Sequence, residues 1–256
     1  MIHKENLLSI KKSGFSFCQN IVYTSSKREK LGGVYTLQKQ IVIFCDFDGT
    51  ITEKDNVIDA MREFAPSQWK DIVQEMFDEK KSLREGLGAL FELIPSEQKE
   101  DLVGFIVNKA IIREGFADFL SFCRQENIQF LVTSNGIDFF IDPILKPYID
   151  QIDNVYCNSS DDTSDTIKIV WPHPCDEYCK ADCGMCKSSI IRSYDDEKYY
   201  KIVIGDSITD LEGAKNASWT IARSYLLDKC QELNLPHDSF TTFHDCIKVV
   251  KKIKEM

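Results

Sequence analysis

The sequence predicts an α/β fold, a Rossmann-like doubly wound parallel sheet with an inserted helical lobe, and three observations lead there. The first is the run Ile41-Val42-Ile43-Phe44-Cys45, continuously apolar and rich in β-branched residues, as expected of a strand buried on both faces. The second is the return of such runs at 128–133 and 201–204 with helical periodicity between them, the alternation that builds parallel sheets. The third is a stretch, residues 56–112, that reads as several helices with no strand among them.

Taken in order, residues 1–40 are polar, mixed in charge and without a sustained helical or strand period. They are expected to be a poorly ordered or loosely packed extension. The other expectation is an untranslated extension. The codons of Gly32-Gly33 can spell a bacterial ribosome-binding sequence and Leu37 can be a TTG start, which would begin the native chain at position 37.

The strand at 41–45 opens the core. Val57, Ile58, Met61 and Phe64 then fall at helical spacing, and Pro66 starts a segment with Trp69, Ile72, Val73, Met76 and Phe77. Ser82-Leu83-Arg84-Glu85 has capping-box form ahead of Leu87, Leu90, Phe91 and Ile94, and Pro95-Ser96 opens a fourth helix with Leu102, Phe105, Ile106 and Ala110. The expected organisation is therefore a core of residues 41–55 and 113–256 with a helical lobe of 56–112. After the lobe come a helix at 116–125, a buried strand at 128–133, a helix at 139–145 and a short strand at 155–157. An edge hairpin at 167–171, a core strand at 201–204, a helix at 211–217 and a strand at 219–222 follow, and helices rich in Leu and Lys close the chain.

A formal net charge of -10 over 256 residues argues against a nucleic-acid surface, which needs a basic patch. No apolar run reaches the length of a membrane span, and the N-terminus lacks a signal peptide's apolar stretch, so a cytoplasmic, reducing setting without a membrane partner is expected. Of the ten cysteines, Cys18, Cys45, Cys123, Cys157, Cys230 and Cys246 sit in apolar or helical contexts and read as buried thiols, while four cluster between Cys175 and Cys186.

In doubly wound sheets ligands bind beyond the carboxyl ends of strands. That rule points to Asp46-Phe47-Asp48-Gly49-Thr50 after the first strand, where two carboxylates can face one pocket and Gly49 permits a tight turn. By itself an Asp-x-Asp-Gly segment is as often a solvated turn or part of a calcium loop; the buried strand before it makes the turn reading insufficient. It also points to Ser134-Asn135-Gly136, whose hydroxyl and N–H groups can bind phosphate oxygens, although Ser-Asn-Gly is common turn chemistry. The third place is Gly205-Asp206-Ser207-Ile208-Thr209-Asp210, where Asp206 can bind Mg²⁺ and Asp210 can bind it or orient its waters; helix capping by Asp206 or Ser207 is the plainer reading. Lys187, at the start of a helical segment, is the best candidate for a cation, against the plain alternative of a surface lysine.

Together the four elements resemble the signature of haloacid dehalogenase-like phosphatases: Asp-x-Asp-Gly-Thr, a strand-end Ser, a Lys, then Gly-Asp-x-x-x-Asp, over residues 41–225 or more. The lobe is similar to the cap of phosphoserine-phosphatase-like members. A narrower similarity is to the methionine-salvage phosphatases that act on 2-hydroxy-3-keto-5-methylthiopentenyl-1-phosphate. It lies in Cys45 to Asn56, Arg113-Glu114-Gly115-Phe116, Asp138-Phe139-Phe140, Trp171-Pro172-His173 and Cys175 to Lys187; Asn135 departs from it, standing where glycine is expected.

The resemblance implies a small phosphorylated metabolite as substrate and Mg²⁺ held by Asp46, the backbone carbonyl of Asp48 and Asp206, with Asp210 beside them. It implies Asp46 as nucleophile, Asp48 as acid and base, and Ser134, Asn135, Gly136 and Lys187 around the phosphate. It further requires the carboxylates of Asp46, Asp48 and Asp206 to share one crevice.

Cys175, Cys179, Cys183 and Cys186, with His173 nearby, can hold structural zinc; a reduced metal-free loop or a disulfide pair are the alternatives that this tight spacing leaves open. Two further readings compete. A phosphatase of the same superfamily with another substrate, such as phosphoserine, is separated by a substrate panel. A non-catalytic phosphate-binding module is disfavoured by the complete set of Asp46, Asp48 and Asp206, since a binder has no use for a nucleophile and its acid.

Overall fold

The computed structural model describes residues 28–31, 34–37 and 39–256, which fall into two units, Met1–Gln38 and Lys39–Met256. In the first, strands β1 (Arg28–Leu31) and β2 (Val34–Leu37) pair antiparallel with Arg28 opposite Leu37. A search for a sustained period misses two runs of four residues that pair with each other. The rest of 1–38 lies outside the described residues, and with it the choice between a poorly ordered and an untranslated extension.

The second unit is built on one sheet. Its strands are β3 (Gln40–Cys45), β4 (Gln129–Ile137), β5 (Asn154–Asp161), β6 (Lys168–Val170), β7 (Tyr199–Gly205), β8 (Trp219–Ala222) and β9 (His237–Ser239). The order is β6-β5-β4-β3-β7-β8-β9, and every neighbouring pair is parallel except β5–β6, the expected edge hairpin. In central β3, Ile43 and Cys45 join one apolar cluster while Val42 and Phe44 join another with Leu131, Ile191 and Val203. Both faces are covered, which is why the run shows no alternation.

Helices α1 (Asn56–Phe64), α2 (Trp69–Phe77), α3 (Leu83–Phe91) and α4 (Lys99–Lys109) lie between β3 and β4 in the chain. Asp55 caps α1 by accepting the Ile58 N–H at 3.0 Å, and the capping box foreseen at Ser82 and Glu85 forms at the start of α3. The chain leaves and re-enters the sheet through a paired neck. Thr52 bridges Ile112, and the Glu53 N–H donates to Ile111 O at 2.9 Å while the Arg113 N–H donates to Ile51 O at 2.8 Å.

The remaining helices are α5 (Phe116–Gln125), α6 (Asp138–Leu145), α7 (Lys187–Arg192), α8 (Leu211–Lys215), α9 (Ser224–Glu232) and α10 (Phe243–Lys254). Two differences from the sequence expectation bear on the site. Strand β4 does not stop at Thr133 but continues to Ile137, with its register against β5 shifting between Thr133 and Ile137. That irregularity holds Ser134, Asn135 and Gly136, and such bulges re-aim side chains. Strand β9, His-Asp-Ser on the sheet edge, has no apolar signal by which it could have been predicted. Among the described residues no helix is long and apolar enough to cross a membrane.

Candidate active site

Strands β4, β3 and β7 are neighbours and run parallel, so the residues that follow their carboxyl ends share one edge of the sheet. Asp46 leaves β3 there, 5% exposed, its N–H still bound to Ile204 O of β7 at 2.9 Å. Its Oδ1 accepts from the Phe47 N–H at 2.8 Å and from Lys187 Nζ at 2.7 Å. Lys187, the first residue of α7, is itself 5% exposed and also reaches Asp210 Oδ1 at 2.6 Å and Thr209 Oγ1 at 3.2 Å. The surface-lysine alternative is thereby removed.

Asp46, Asp206 and Asp210 form a group whose carboxylate oxygens lie within 4.8 Å of one another. Asp210 Oδ2 accepts the N–H groups of Asp206 and Ser207 at 3.1 and 3.0 Å, which folds the turn after β7 onto the group. Burial and then Asp210 push the Asp46 carboxyl well up from its ordinary value, against the pull of Lys187. The same two causes, in the same order, raise Asp206. Burial tends to strip the Lys187 ammonium of its proton, but Asp210 and Asp46 outweigh it and hold the group charged. Three carboxylates against one ammonium leave excess negative charge in a poorly solvated site. An all-oxygen donor set of this kind fits a small hard divalent cation such as Mg²⁺.

Asp210 is the third carboxylate of that group, and the side chain of Asp48, which feels the Lys187 charge, is held by its own partners. Asp48 Oδ1 accepts from the Asn56 N–H at 3.0 Å and Asn56 Nδ2 at 2.6 Å, at the start of α1. Its Oδ2 faces the β4 bulge, 2.9 Å from where a Cβ on Gly136 would stand. Burial, then the nearby Asp55, push the Asp48 carboxyl up to about 7, so it can carry a proton near neutral pH.

In the bulge, Ser134 is 1% exposed and its Oγ accepts the Gly136 N–H at 2.9 Å, which leaves its own proton free to be donated. Asn135 turns the other way. Its Nδ2 donates to Cys183 O at 3.2 Å and Met185 O at 2.8 Å, so its side chain faces the cysteine loop and not the carboxylates. The thiols of Cys175, Cys179, Cys183 and Cys186 also come together, within 4.8 Å of one another.

Several residues shape the site without having been singled out for it. Thr50 Oγ1 donates to Asp206 Oδ1 at 2.8 Å across 156 positions of sequence. Arg113, 6% exposed, donates Nε to Thr50 O at 2.7 Å and Nη2 to Gly49 O and Thr52 O at 2.7 and 3.2 Å. Arg223 Nη1 adds a longer bond to Gly49 O at 3.4 Å. Together they clamp the Asp-x-Asp-Gly-Thr turn. Gly49 sits there at φ 77°, and a Cβ would come within 2.5 Å of Asp206 Oδ2, so both its conformation and its close approach demand glycine. The only sequence signal for Arg113 was its place in the Arg-Glu-Gly-Phe stretch.

The profile of haloacid dehalogenase-like hydrolases matches residues 43–215. The chain is 52% identical over 219 residues to a 2-hydroxy-3-keto-5-methylthiopentenyl-1-phosphate phosphatase of Brevibacillus brevis, covering 86% of this chain and 99% of that protein. A protein of the same name from Geobacillus thermodenitrificans is 46% identical over 218 residues, covering 85% and 99%. Among solved structures, a phospho-aspartyl intermediate analogue of phosphoserine phosphatase superposes with a TM-score of 0.61 at 18% identity, over 83% of this chain and 99% of that one, a likeness of fold. With that fold, that match and those relatives, the chain belongs to the haloacid dehalogenase-like hydrolases.

Proposed function

We propose that the protein is a Mg²⁺-dependent phosphatase that works through an aspartyl-phosphate on Asp46 and dephosphorylates 2-hydroxy-3-keto-5-methylthiopentenyl-1-phosphate in methionine salvage. The observation that supports the chemistry most is the pairing of a buried carboxylate, Asp46, in contact with Lys187 and grouped with Asp206 and Asp210, with a second carboxyl, Asp48, whose burial lets it carry a proton near neutral pH. The substrate rests on relatives 52% and 46% identical over nearly their whole length.

Asp46, Asp206 and the backbone carbonyl of Asp48 are the atoms to hold Mg²⁺, with Asp210 binding it or ordering its waters. When bound, the ion supplies positive charge to the oxygens of the transferring phosphoryl group. Every other part of the reaction falls to the chain. Asp46 attacks phosphorus, and the bond to the leaving oxygen breaks as Asp48 gives that oxygen its proton. The Asp48 carboxylate so formed takes a proton from water, the water oxygen attacks the phosphoryl group, and phosphate departs with Asp46 restored. Lys187 brings a full positive charge and Ser134 a hydroxyl proton to the equatorial oxygens. Gly136 and the bulge set where Ser134 points.

Residues 56–112 act as a cap over a core of 41–55 and 113–256, and the Thr52–Ile112 bridge marks the neck about which it would move. A reducing cytoplasm, where thiols stay reduced, belongs to the same reading. The four clustered thiols offer soft donors and add nothing to a Mg²⁺ site. The test is phosphate release from the methylthiopentenyl ester, with and without Mg²⁺, beside phosphoserine. The expected result is Mg²⁺-dependent release that strongly favours the methylthiopentenyl ester; preference for phosphoserine would overturn the substrate, and no release from either would overturn the chemistry.

A further inference from the structure

We propose that Cys175, Cys179, Cys183 and Cys186 hold one Zn²⁺ in a tetrahedral thiolate centre, and that this centre locks the Ser134–Gly136 bulge and Lys187 in place. The metal centre stands independently of the phosphatase reading; its effect on turnover rests on that reading.

The four sulfurs lie within 4.8 Å of one another, and Cys179 Sγ and Cys183 Sγ are 3.7 Å apart. Zn–S bonds of about 2.3 Å in a tetrahedron put neighbouring sulfurs about 3.8 Å apart, so the thiols stand near the positions they would take around the ion. The segment that carries them, residues 171–186, contains no helix or strand, yet its end is fully buried at Met185 and Cys186. Buried irregular backbone needs a tie that secondary structure does not supply here.

The bend that turns Cys183 inward is costly. Asp182 at φ 49° and Gly184 at φ 77° flank it in left-handed conformations, and a Cβ on Gly184 would come within 2.6 Å of the Trp171 ring. A non-glycine residue held there costs on the order of 1 kcal/mol, which a metal bond can offset. Donors to sulfur are in place as well: the Cys183 N–H donates to Cys175 Sγ at 3.3 Å and Ser189 Oγ to Cys186 Sγ at 3.0 Å. Such groups spread the charge of a centre whose four thiols each release a proton as they bind.

The loop is wired to the site. Asn135, between Ser134 and Gly136, donates to the carbonyls of Cys183 and Met185, and its backbone carbonyl accepts from Asn158 Nδ2 at 2.7 Å. Cys186 is the N-cap residue of α7, so the last thiol adjoins Lys187 in the chain. On the other side the loop holds the helical lobe: Ser82 Oγ donates to Asp182 Oδ2 at 2.7 Å and the Arg84 N–H to Asp182 O at 3.1 Å. One centre thus ties together the bulge, the lysine and α3. The asparagine that departs from the expected glycine makes the first of these ties.

The experiment is metal analysis of the full chain purified in reducing buffer without chelator, with thiol titration, Co²⁺ substitution and a Cys179→Ser/Cys183→Ser variant. About one zinc per chain is expected, released as the cluster thiols are titrated, with Co²⁺ giving the visible bands and sulfur-to-metal charge transfer of a tetrathiolate site. The variant should hold no zinc. Its amide exchange should rise across 173–187 but not in β8, and its kcat should fall on the order of tenfold to hundredfold as Lys187 loses its place. If the variant does not fold, the zinc content and Co²⁺ spectrum of the unmodified chain decide. Free thiols with no bound metal after exposure to Zn²⁺, a disulfide within the cluster, or bound iron would each overturn the proposal. A protein that keeps its zinc but releases no phosphate counts against the phosphatase reading alone.

Discussion

Lys187 Nζ stands 2.7 Å from Asp46 Oδ1 with both side chains almost wholly buried, so the cation nearest the candidate nucleophile is also its charge partner. Lys187→Met should therefore do two things. Turnover should fall on the order of 10²- to 10³-fold, the usual cost of losing a charge aimed at the transferring group. Without Mg²⁺ the variant should melt lower than the unmodified protein, and added Mg²⁺ should recover more stability in the variant. Lys187→Arg should not restore turnover, because a planar guanidinium does not fit between two carboxylates placed for an ammonium. Steady-state kinetics and thermal melts with and without Mg²⁺ read both effects.

Asp46→Asn should fold and lose turnover, with no phosphorylated protein detectable by mass spectrometry after substrate is added. Since Asp46 is pushed up by burial and by Asp210, the neutral amide should leave the Mg²⁺-free protein at least as stable as before. Near-normal phosphate release in this variant would remove Asp46 from the role of nucleophile.

Arg113→Lys tests the clamp on the Asp46–Thr50 turn. A lysine cannot satisfy the three carbonyls of Gly49, Thr50 and Thr52 with a rigid fork. Loss of about 1–3 kcal/mol of stability and a kcat reduction on the order of tenfold are expected. Chemical denaturation beside kinetics would show it, and an unchanged kcat would mean that the turn holds its shape without the clamp.

Asn56→Ala removes one of the two donors that hold Asp48 Oδ1. The expected outcome is a lower kcat with little change in the Mg²⁺ concentration needed for half activation, because in the proposed mechanism Asp48 acts through its carboxyl on the leaving oxygen. A large shift in Mg²⁺ requirement would instead place the Asp48 side chain at the metal.

Asp245 gives a pH dependence far from the chemistry. Lys248 and the N–H groups of Thr242 and Thr241 hold its carboxyl well below the ordinary range at the start of α10. A lowered value stabilises the fold above the ordinary carboxylate range, and that contribution is lost as pH falls through it toward the folded value. Asp245→Ala should thus cost about 1 kcal/mol near neutral pH, and the gap to the unmodified protein should narrow in acid. Urea unfolding at two pH values measures it; a gap that widens in acid would contradict the assignment.

Much of the site was legible in the sequence because buried parallel strands announce their own ends. Asp46 and Asp206 follow apolar runs that stop, and Ser134 follows another, so the sheet's ligand edge could be marked without coordinates. What was not legible lies in pairings between distant segments. Thr50 holding Asp206, Arg113 holding Gly49, and Asn135 holding the cysteine loop are contacts with no periodic trace, and hydrogen bonds to backbone carbonyls do not depend on the partner's residue type. The β4 bulge escaped for a related reason. Ser-Asn-Gly reads as a turn that ends a strand, whereas the strand continues through it because Ile137 finds a partner in Asn158.

The sequence by itself determined the central strands of the sheet, the helical insertion and the edge at which chemistry gathers, since hydrophobic period and strand-end polarity are local properties of the chain. Only the tertiary structure decided that Asn56 holds Asp48 Oδ1 while Asp210 groups with Asp46 and Asp206, and that Lys187 is buried against Asp46. Those choices depend on where Asn56 and α7 come to rest in space. Electrostatic energy in a buried site is set by distance and solvation, and neither can be read from the order of residues.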